Sequence, residues 1–405
     1  MGESARRKLL FAALYLSEGA PIGFLWWLLP AHLRRAGVPV VEITALTAGL
    51  GVPWVFKFAW APLLDTLRGR WWGYRNWMLL AQAVMGLALL PLAWLDLTAD
   101  FGLVYALCLV HAFAAATQDV AIDAMAIATA PPEERGALNG WMQAGMLLGR
   151  AVFGGLALRV AVEWGMAPVV FGLCGVVWLV GVVAVFSGLA EAPLRASRGA
   201  AEHLAHFGRT LWRAFARVRT LWGIAFALLA GAGFEALGGV ASPFLVDMQL
   251  SPEAHGNFFA FASVPARGGG ALPGGRASAR GAAAPACGRA PMAPTVSIGL
   301  VAVVAAAGSR GALLVALGGA YLCIGLFTAT SYALFMDLTE PEVAATQFTT
   351  FMAFTNACEV WSQRSVGLLI ERWGYFASFA AMALVSLLAW PILQRLRERP
   401  ADLQQ

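Results

Sequence analysis

Apolar runs of roughly twenty residues alternate with short polar stretches along nearly the whole chain. A helix rises ~1.5 Å per residue, so a run of that length crosses a hydrocarbon core of ~30 Å. The pattern predicts twelve spanning helices, at 9–32, 41–63, 74–95, 101–129, 137–159, 167–189, 220–242, 254–273, 293–309, 311–337, 345–369 and 375–394. The first run follows Arg6-Arg7-Lys8 in the manner of a secretion signal, but Ser17, Glu18 and Pro21 interrupt it and it continues through LWWLL. It therefore reads as a retained span rather than a cleaved leader.

An internal repeat accompanies this count. Pro132, Glu133, Trp164 and Gly165 recur 209 positions later as Pro341, Glu342, Trp373 and Gly374, while Pro30 and Pro39 recur 213 positions later as Pro243 and Pro252. Two copies of six spans result, and an even number of spans per copy makes the repeats parallel, related by an axis along the membrane normal. The expected organisation is a six-helix bundle over 1–190, a cytoplasmic linker over 191–219, a second bundle over 220–397 and a tail over 398–405. Within the linker, Leu204, Phe207, Leu211, Phe215 and Val218 recur at helical spacing opposite Arg209, Arg213 and Arg217, which suits an amphipathic helix on the membrane surface.

One segment breaks the pattern. Between Val264 and Pro294, 26 of 31 residues are Gly, Ala, Pro or Arg, where the eighth span should finish and the ninth begin. That density suits a flexible linker better than a helix in lipid, so helices 8 and 9 are expected to be disrupted. A GC-rich frame read out of register accounts for such a composition; a long loop between two shortened helices is the alternative.

Composition sharpens the class. Hydrophobic residues make up 60% and charged residues 13% of the 405, against a soluble average of about 45–50% and 25%. The net charge of +5 does not point to nucleic acid, because its distribution follows membrane orientation. Under the twelve-span threading, 20 of the 28 Lys and Arg fall on the N-terminal side, five on the other, and Lys57, Arg150 and Arg364 inside spans. Both termini are thus expected in the cytoplasm. The five cysteines show no paired spacing, no G-x-x-x-x-G-K-[ST] loop exists, and the histidines lack metal-ligand spacing. No cofactor, metal or enzymatic activity is expected. His111, the single histidine inside a span, reads as structural.

Five acids lie inside spans: Glu18, Asp119, Asp123, Glu235 and Glu359. An ionised acid at the centre of a spanning helix costs ~3 kcal/mol or more, so such residues face a cavity or a partner. Asp119 and Asp123 are four apart and share a helix face. Counted from the cytoplasmic ends at ~1.5 Å per residue, Glu18 and Asp119 both fall roughly 14–16 Å deep and Lys57 about 9 Å. Buried carboxylates in excess of cations suit proton carriers, although Glu359 with Arg364, and Asp119 or Asp123 with a cation, serve equally as ion pairs between helices. Lys57 is placed either to bind an anionic solute group or to neutralise Asp123.

The run ATQDVAIDA with PPEERG behind it, together with SEGAPIG in the first span and PWVFKFAWAPLLD in the second, resembles the AmpG-like branch of the major facilitator superfamily. That branch takes in muropeptide permeases, siderophore permeases of the RhtX/FptX type and relatives of the acetyl-CoA transporter. The resemblance is strong over residues 9–190 and weak beyond. Relatives often carry Tyr-Arg where this chain has Met125-Ala126 and again where it has Met146-Leu147.

The resemblance implies an all-α membrane protein of the bacterial inner membrane, a monomer, importing a small polar or anionic solute with protons by alternating access. Its expected proton-coupling set is Glu18, Asp119, Asp123, Glu235 and Glu359, with Lys57, Gln118, Arg150 and Arg364 toward the solute. Asp65, Arg68 and Arg70 in the 2–3 loop read as a gate latch. Glu133 and Arg135 are gating candidates too, yet acids in the first turn of a helix complement its dipole, so helix punctuation explains Glu133 and Glu134 at least as well. A non-transporting sensor or scaffold, or an inactive product of a disrupted gene, is the competing expectation.

Overall fold

The computed structural model describes residues 2–66, 72–187, 209, 217–277, 292–339 and 344–397, all of them in helices or short turns, with no strand among them. The helices, numbered here by span, are α1 (Glu3–Arg35), α2 (Val40–Thr66), α3 (Tyr74–Ala93), α4 (Phe101–Thr129), α5 (Arg135–Trp164) and α6 (Met166–Phe186). They continue as α7 (Val218–Asp247), α8 (252–277), α9 (Met292–Ala306), α10 (Arg310–Leu338), α11 (344–373) and α12 (375–397). Among the described residues, nine stretches are by themselves long and apolar enough to cross a membrane, and one of those, Gln347–Leu396, holds both α11 and α12.

The chain divides into two compact units. The first comprises 1–38, 56–204 and 250–260, the second 39–55, 205–249 and 261–405, so that α2 and α8 each contribute to both. Within the first unit α1 packs most extensively on α5 and α3 on α4; within the second, α7 packs on α11 and α9 on α10. These two pairings recur six spans apart, as a duplication predicts, and the second unit also packs α8 closely on α10. The repeated Trp-Gly supplies the local reason for one shared feature. Gly165 (φ 83°) and Gly374 (φ 71°) both adopt the left-handed region that L side chains avoid, and each ends a span just after a tryptophan.

Contact between α1 and α5 is backbone on backbone. A Cβ at Gly145 would collide with the Ala12 carbonyl, one at Gly19 with the Met146 carbonyl, and one at Gly149 would stand 2.6 Å from Leu16 O and Ala20 N. Small residues at three successive turns thus let two spanning helices touch without intervening side chains. Pi-helical turns interrupt α1 at Phe24–Leu28, α5 at Ala151–Leu156 and α8 at Phe258–Ser263. In the first unit they meet: the Trp27 ring stacks on Phe259 at 4.6 Å, and a Cβ at Gly154 would reach Trp27.

Part of the Gly/Ala/Pro/Arg-rich segment departs from the expectation of a flexible linker, although neither α8 nor α9 is among the nine spanning stretches of the described residues. Val264–Ala277 is helical, completing α8, and its packing explains why so many glycines are tolerated. A Cβ at Gly270 would strike the Leu322 carbonyl and one at Gly325 the Arg267 carbonyl, a reciprocal close crossing of α8 and α10. Residues 278–291 lie outside the described part, as does nearly all of the expected linker helix.

Candidate functional site

Within the first unit, α1, α2 and α4 bring polar side chains to one place. Span 4 runs antiparallel to span 1, so Tyr15 and Glu18, three apart on α1, face Asp123 and Asp119, four apart on α4. Tyr15 Oη donates to Asp123 Oδ1 at 2.5 Å. Lys57 Nζ on α2 donates to, and is ion-paired with, Asp119 Oδ2. Glu18 is within electrostatic reach of Asp119, Asp123, Lys57 and Arg150, and its Oε2 is buried without a hydrogen-bond partner. Glu18 is 2% exposed and Asp119 6%.

The surroundings keep this group dry on one side. Leu10, Phe11, Leu14, Met78, Ile122 and Met125 are buried around it. Ser17 Oγ donates to Leu14 O at 2.6 Å and accepts from Gln82 Nε2 at 3.2 Å, tying α3 to α1. His111 Nδ1 meets Met85 O at 3.1 Å and joins α3 to α4, the structural role expected of it. Gln118 is fully buried, and neither its Nε2 nor its Oε1 has a hydrogen-bond partner. On α5, Arg150 Nη2 approaches Met146 Sδ at 3.6 Å.

Some expected pairings form differently. Lys57 takes Asp119 rather than Asp123, and Asp123 is bonded instead to Tyr15, a residue not among the expected site residues. The i, i+3 spacing of Tyr15 and Glu18 was the available signal. Glu359 and Arg364 do not pair. Glu359 Oε1 accepts from Gln363 Nε2 at 3.0 Å, whereas the exposed Arg364 donates to Val41 O at 3.1 Å, since five residues of helix carry the guanidinium round to another face. Glu235 on α7 and Glu359 on α11 share the neighbourhood of the buried Cys358, so the five acids fall into a group of three in the first unit and a group of two in the second.

The residues expected at the gates are partly visible. Asp65 lies in the last turn of α2, but its side chain and the whole of Arg68 and Arg70 fall outside the described residues. Glu133 and Glu134 occupy a 3-10 turn just before α5, not its first turn. Glu133 is exposed, while Glu134 Oε2 accepts from Arg7 Nη2 at 2.9 Å, a bond that holds its carboxyl below the ordinary 4.5. Arg7 Nη1 also donates to Thr129 O at 2.8 Å, so one guanidinium ties α1 to the end of α4 and to the turn that follows. Arg135 donates from Nε to Ala130 O at 3.3 Å and from Nη2 to Ile127 O at 3.1 Å, closing carbonyls at the end of α4. Among the described residues, no three His, Cys, Asp or Glu converge as a metal-ligand set.

The sequence profile described as the Major Facilitator Superfamily matches residues 9–359. The chain belongs to that superfamily. Among curated proteins it is similar to the anhydromuropeptide permease of Escherichia coli (strain K12), 32% identical over 178 residues, which are 43% of this chain and 34% of that protein. The match thus spans about a third of its relative's length. Among solved structures it is similar to a D-xylose-proton symporter (TM-score 0.78, 11% identity, 98% of each chain). It is also similar to the nucleoside transporter NupG (TM-score 0.72, 11% identity, 99% of this chain and 100% of that one). At those identities the structures speak for the fold alone. As a major facilitator of twelve helices in two six-span repeats, this is a multi-pass membrane protein of AmpG-like kinship.

Proposed function

We propose that this protein is a secondary transporter that imports a small polar or anionic solute together with protons, by alternating access across the bacterial inner membrane, with both termini in the cytoplasm. The observation that carries the reading is the buried group of Glu18, Asp119 and Asp123 around Lys57. Three carboxylates face one lysine, with Arg150 within further reach, and a buried charge left without a partner costs several kcal/mol. A proton is the smallest partner that satisfies such a group and the easiest to exchange. Tyr15 and Lys57 hold two of the carboxylates in fixed geometry, which leaves Glu18 as the acid free to exchange its partner.

Kinship supports the solute class. The relative named as an anhydromuropeptide permease makes muropeptide-like solutes the first to try, with siderophore-like anions second, and a proton symporter shares the fold. Those names favour transport over the sensor or scaffold reading. Lys57, Gln118 and Arg150 in this unit are the proposed solute contacts, with Arg364 a secondary solute contact and Glu235 and Glu359 secondary proton carriers in the other, and Asp65, Arg68 and Arg70 as the gate latch. The test is accumulation of labelled anhydromuropeptides by cells that depend on this gene, with and without a protonophore. Protonophore-sensitive accumulation supports the proposal; accumulation that persists after the proton gradient collapses contradicts coupling.

A further inference from the structure

At the end of α1 opposite Arg7, about 25 Å along the helix from Glu18, basic groups gather that the proposed transport chemistry does not use. Arg35 is half-buried, and both its Nη1 and Nη2 are shielded from solvent without a hydrogen-bond partner. His32, one turn back on α1, and His255, fully buried near the start of α8, both lie within electrostatic reach of Arg35. His255 is held in place by Phe259, its ring 5.3 Å away, and Phe259 is itself stacked on Trp27. All of these residues belong to the first unit.

The described acceptors near this end of α1 bond groups other than Arg35 through Asp96 Oδ1, Glu253 Oε1, Asn257 Oδ1 and Val38 O. Asp96, which His32 also senses, spends Oδ1 on its own turn, accepting from Thr98 N at 2.9 Å, Thr98 Oγ1 at 2.7 Å and Ala99 N at 3.0 Å. Glu253 Oε1 and Asn257 Oδ1 both take Arg159 Nη2, at 2.9 and 2.8 Å. Val38 O takes Arg34 Nη1 at 3.1 Å. Arg35 keeps a planar fork of donors beside two imidazoles, and among the described residues no carboxylate is bonded to it. A guanidinium fork matches the two oxygens of a carboxylate or phosphate, which is why arginine rather than lysine serves such sites.

We propose that Arg35, with His32 and His255 beside it, forms an oxyanion-binding site at this end of the first unit, separate from the Asp119 group. Its ligand is a phosphate or carboxylate. Two sources share that chemistry, the headgroup of an anionic lipid and an anionic solute arriving from this side.

Purified full-length protein in neutral detergent, melted by tryptophan fluorescence during titration with inorganic phosphate against chloride of equal ionic strength, tests the site without relying on transport. Wild type is expected to show a saturable phosphate-specific rise in Tm of about 3 °C or more. Arg35→Gln loses it, and Arg35→Lys, which keeps charge but not the fork, retains less than half. Nanodiscs separate the sources. If a lipid headgroup is the ligand, phosphatidylglycerol discs stabilise the protein without phosphate and remove the phosphate response, whereas a solute site still responds in them. Either pattern supports the proposal provided it depends on Arg35. No saturable shift in wild type with phosphate or phosphatidylglycerol, or an equal shift in Arg35→Gln, overturns it. Should Arg35→Gln fail to fold, Arg35→Lys and His32→Gln decide by the same criterion.

Discussion

A lysine buried beside a carboxylate adds little net stability, yet removing either partner strands the other in a medium that cannot solvate it. Lys57 and Asp119 are such a pair, with side chains 25% and 9% exposed. Lys57→Met alone is therefore expected to destabilise the protein by about 3–5 kcal/mol, and adding Asp119→Asn should return most of that loss. A double-mutant cycle of melting temperatures measures it, and additive losses would show that the pair is not coupled. The acid content of this site was legible in the sequence, because carboxylates inside apolar runs have few innocent explanations. The partners were not. Tyr15 gave no composition signal, and whether Lys57 faces Asp119 or Asp123 depends on one turn of helix offset between α2 and α4, which periodicity along one chain does not fix.

Among the elements, α1 and α5 behave as one rigid pair, since glycines at three turns bring their backbones into contact. Gly145→Val or Gly149→Val must push the helices apart, and overpacking of this kind costs about 1–3 kcal/mol or more. A lower melting temperature and reduced yield of folded protein are expected, while the same change at Gly140, where a Cβ meets nothing within 4 Å, should be neutral. Equal effects at both would refute the close crossing. The Arg7–Glu134 contact adds a pH-dependent tie at one end of this pair. Because the folded-state pKa of Glu134 is depressed, its stabilisation is present above the ordinary value of 4.5 and disappears as pH falls through the folded value. Glu134→Gln should thus lower the melting temperature more at pH 7 than at pH 3. Helix existence was readable from apolar run length, whereas the pi turns and the helical state of 264–277 were not: both go with contacts between helices, such as Gly270 against Leu322 and Gly325 against Arg267, that propensity along one strand of sequence does not report.

At the scale of the whole molecule, twelve spans and the 20-to-5 distribution of basic residues predict that reporters fused after Arg198 and after Gln405 read cytoplasmic and one after Arg35 reads external. An external reading at Gln405 would remove one crossing from the second unit. The duplication was visible as Trp164-Gly165 and Trp373-Gly374, since a left-handed glycine at the end of a span tolerates no common substitute. The central claim, that carboxylates of the first unit carry protons coupled to solute, is tested most directly in proteoliposomes loaded with a pH dye. Adding a transported solute outside should acidify the lumen for wild type, and Glu18→Gln, Asp119→Asn and Asp123→Asn should each abolish that acidification while leaving solute exchange partly intact. Wild-type acidification in all three variants would contradict the account.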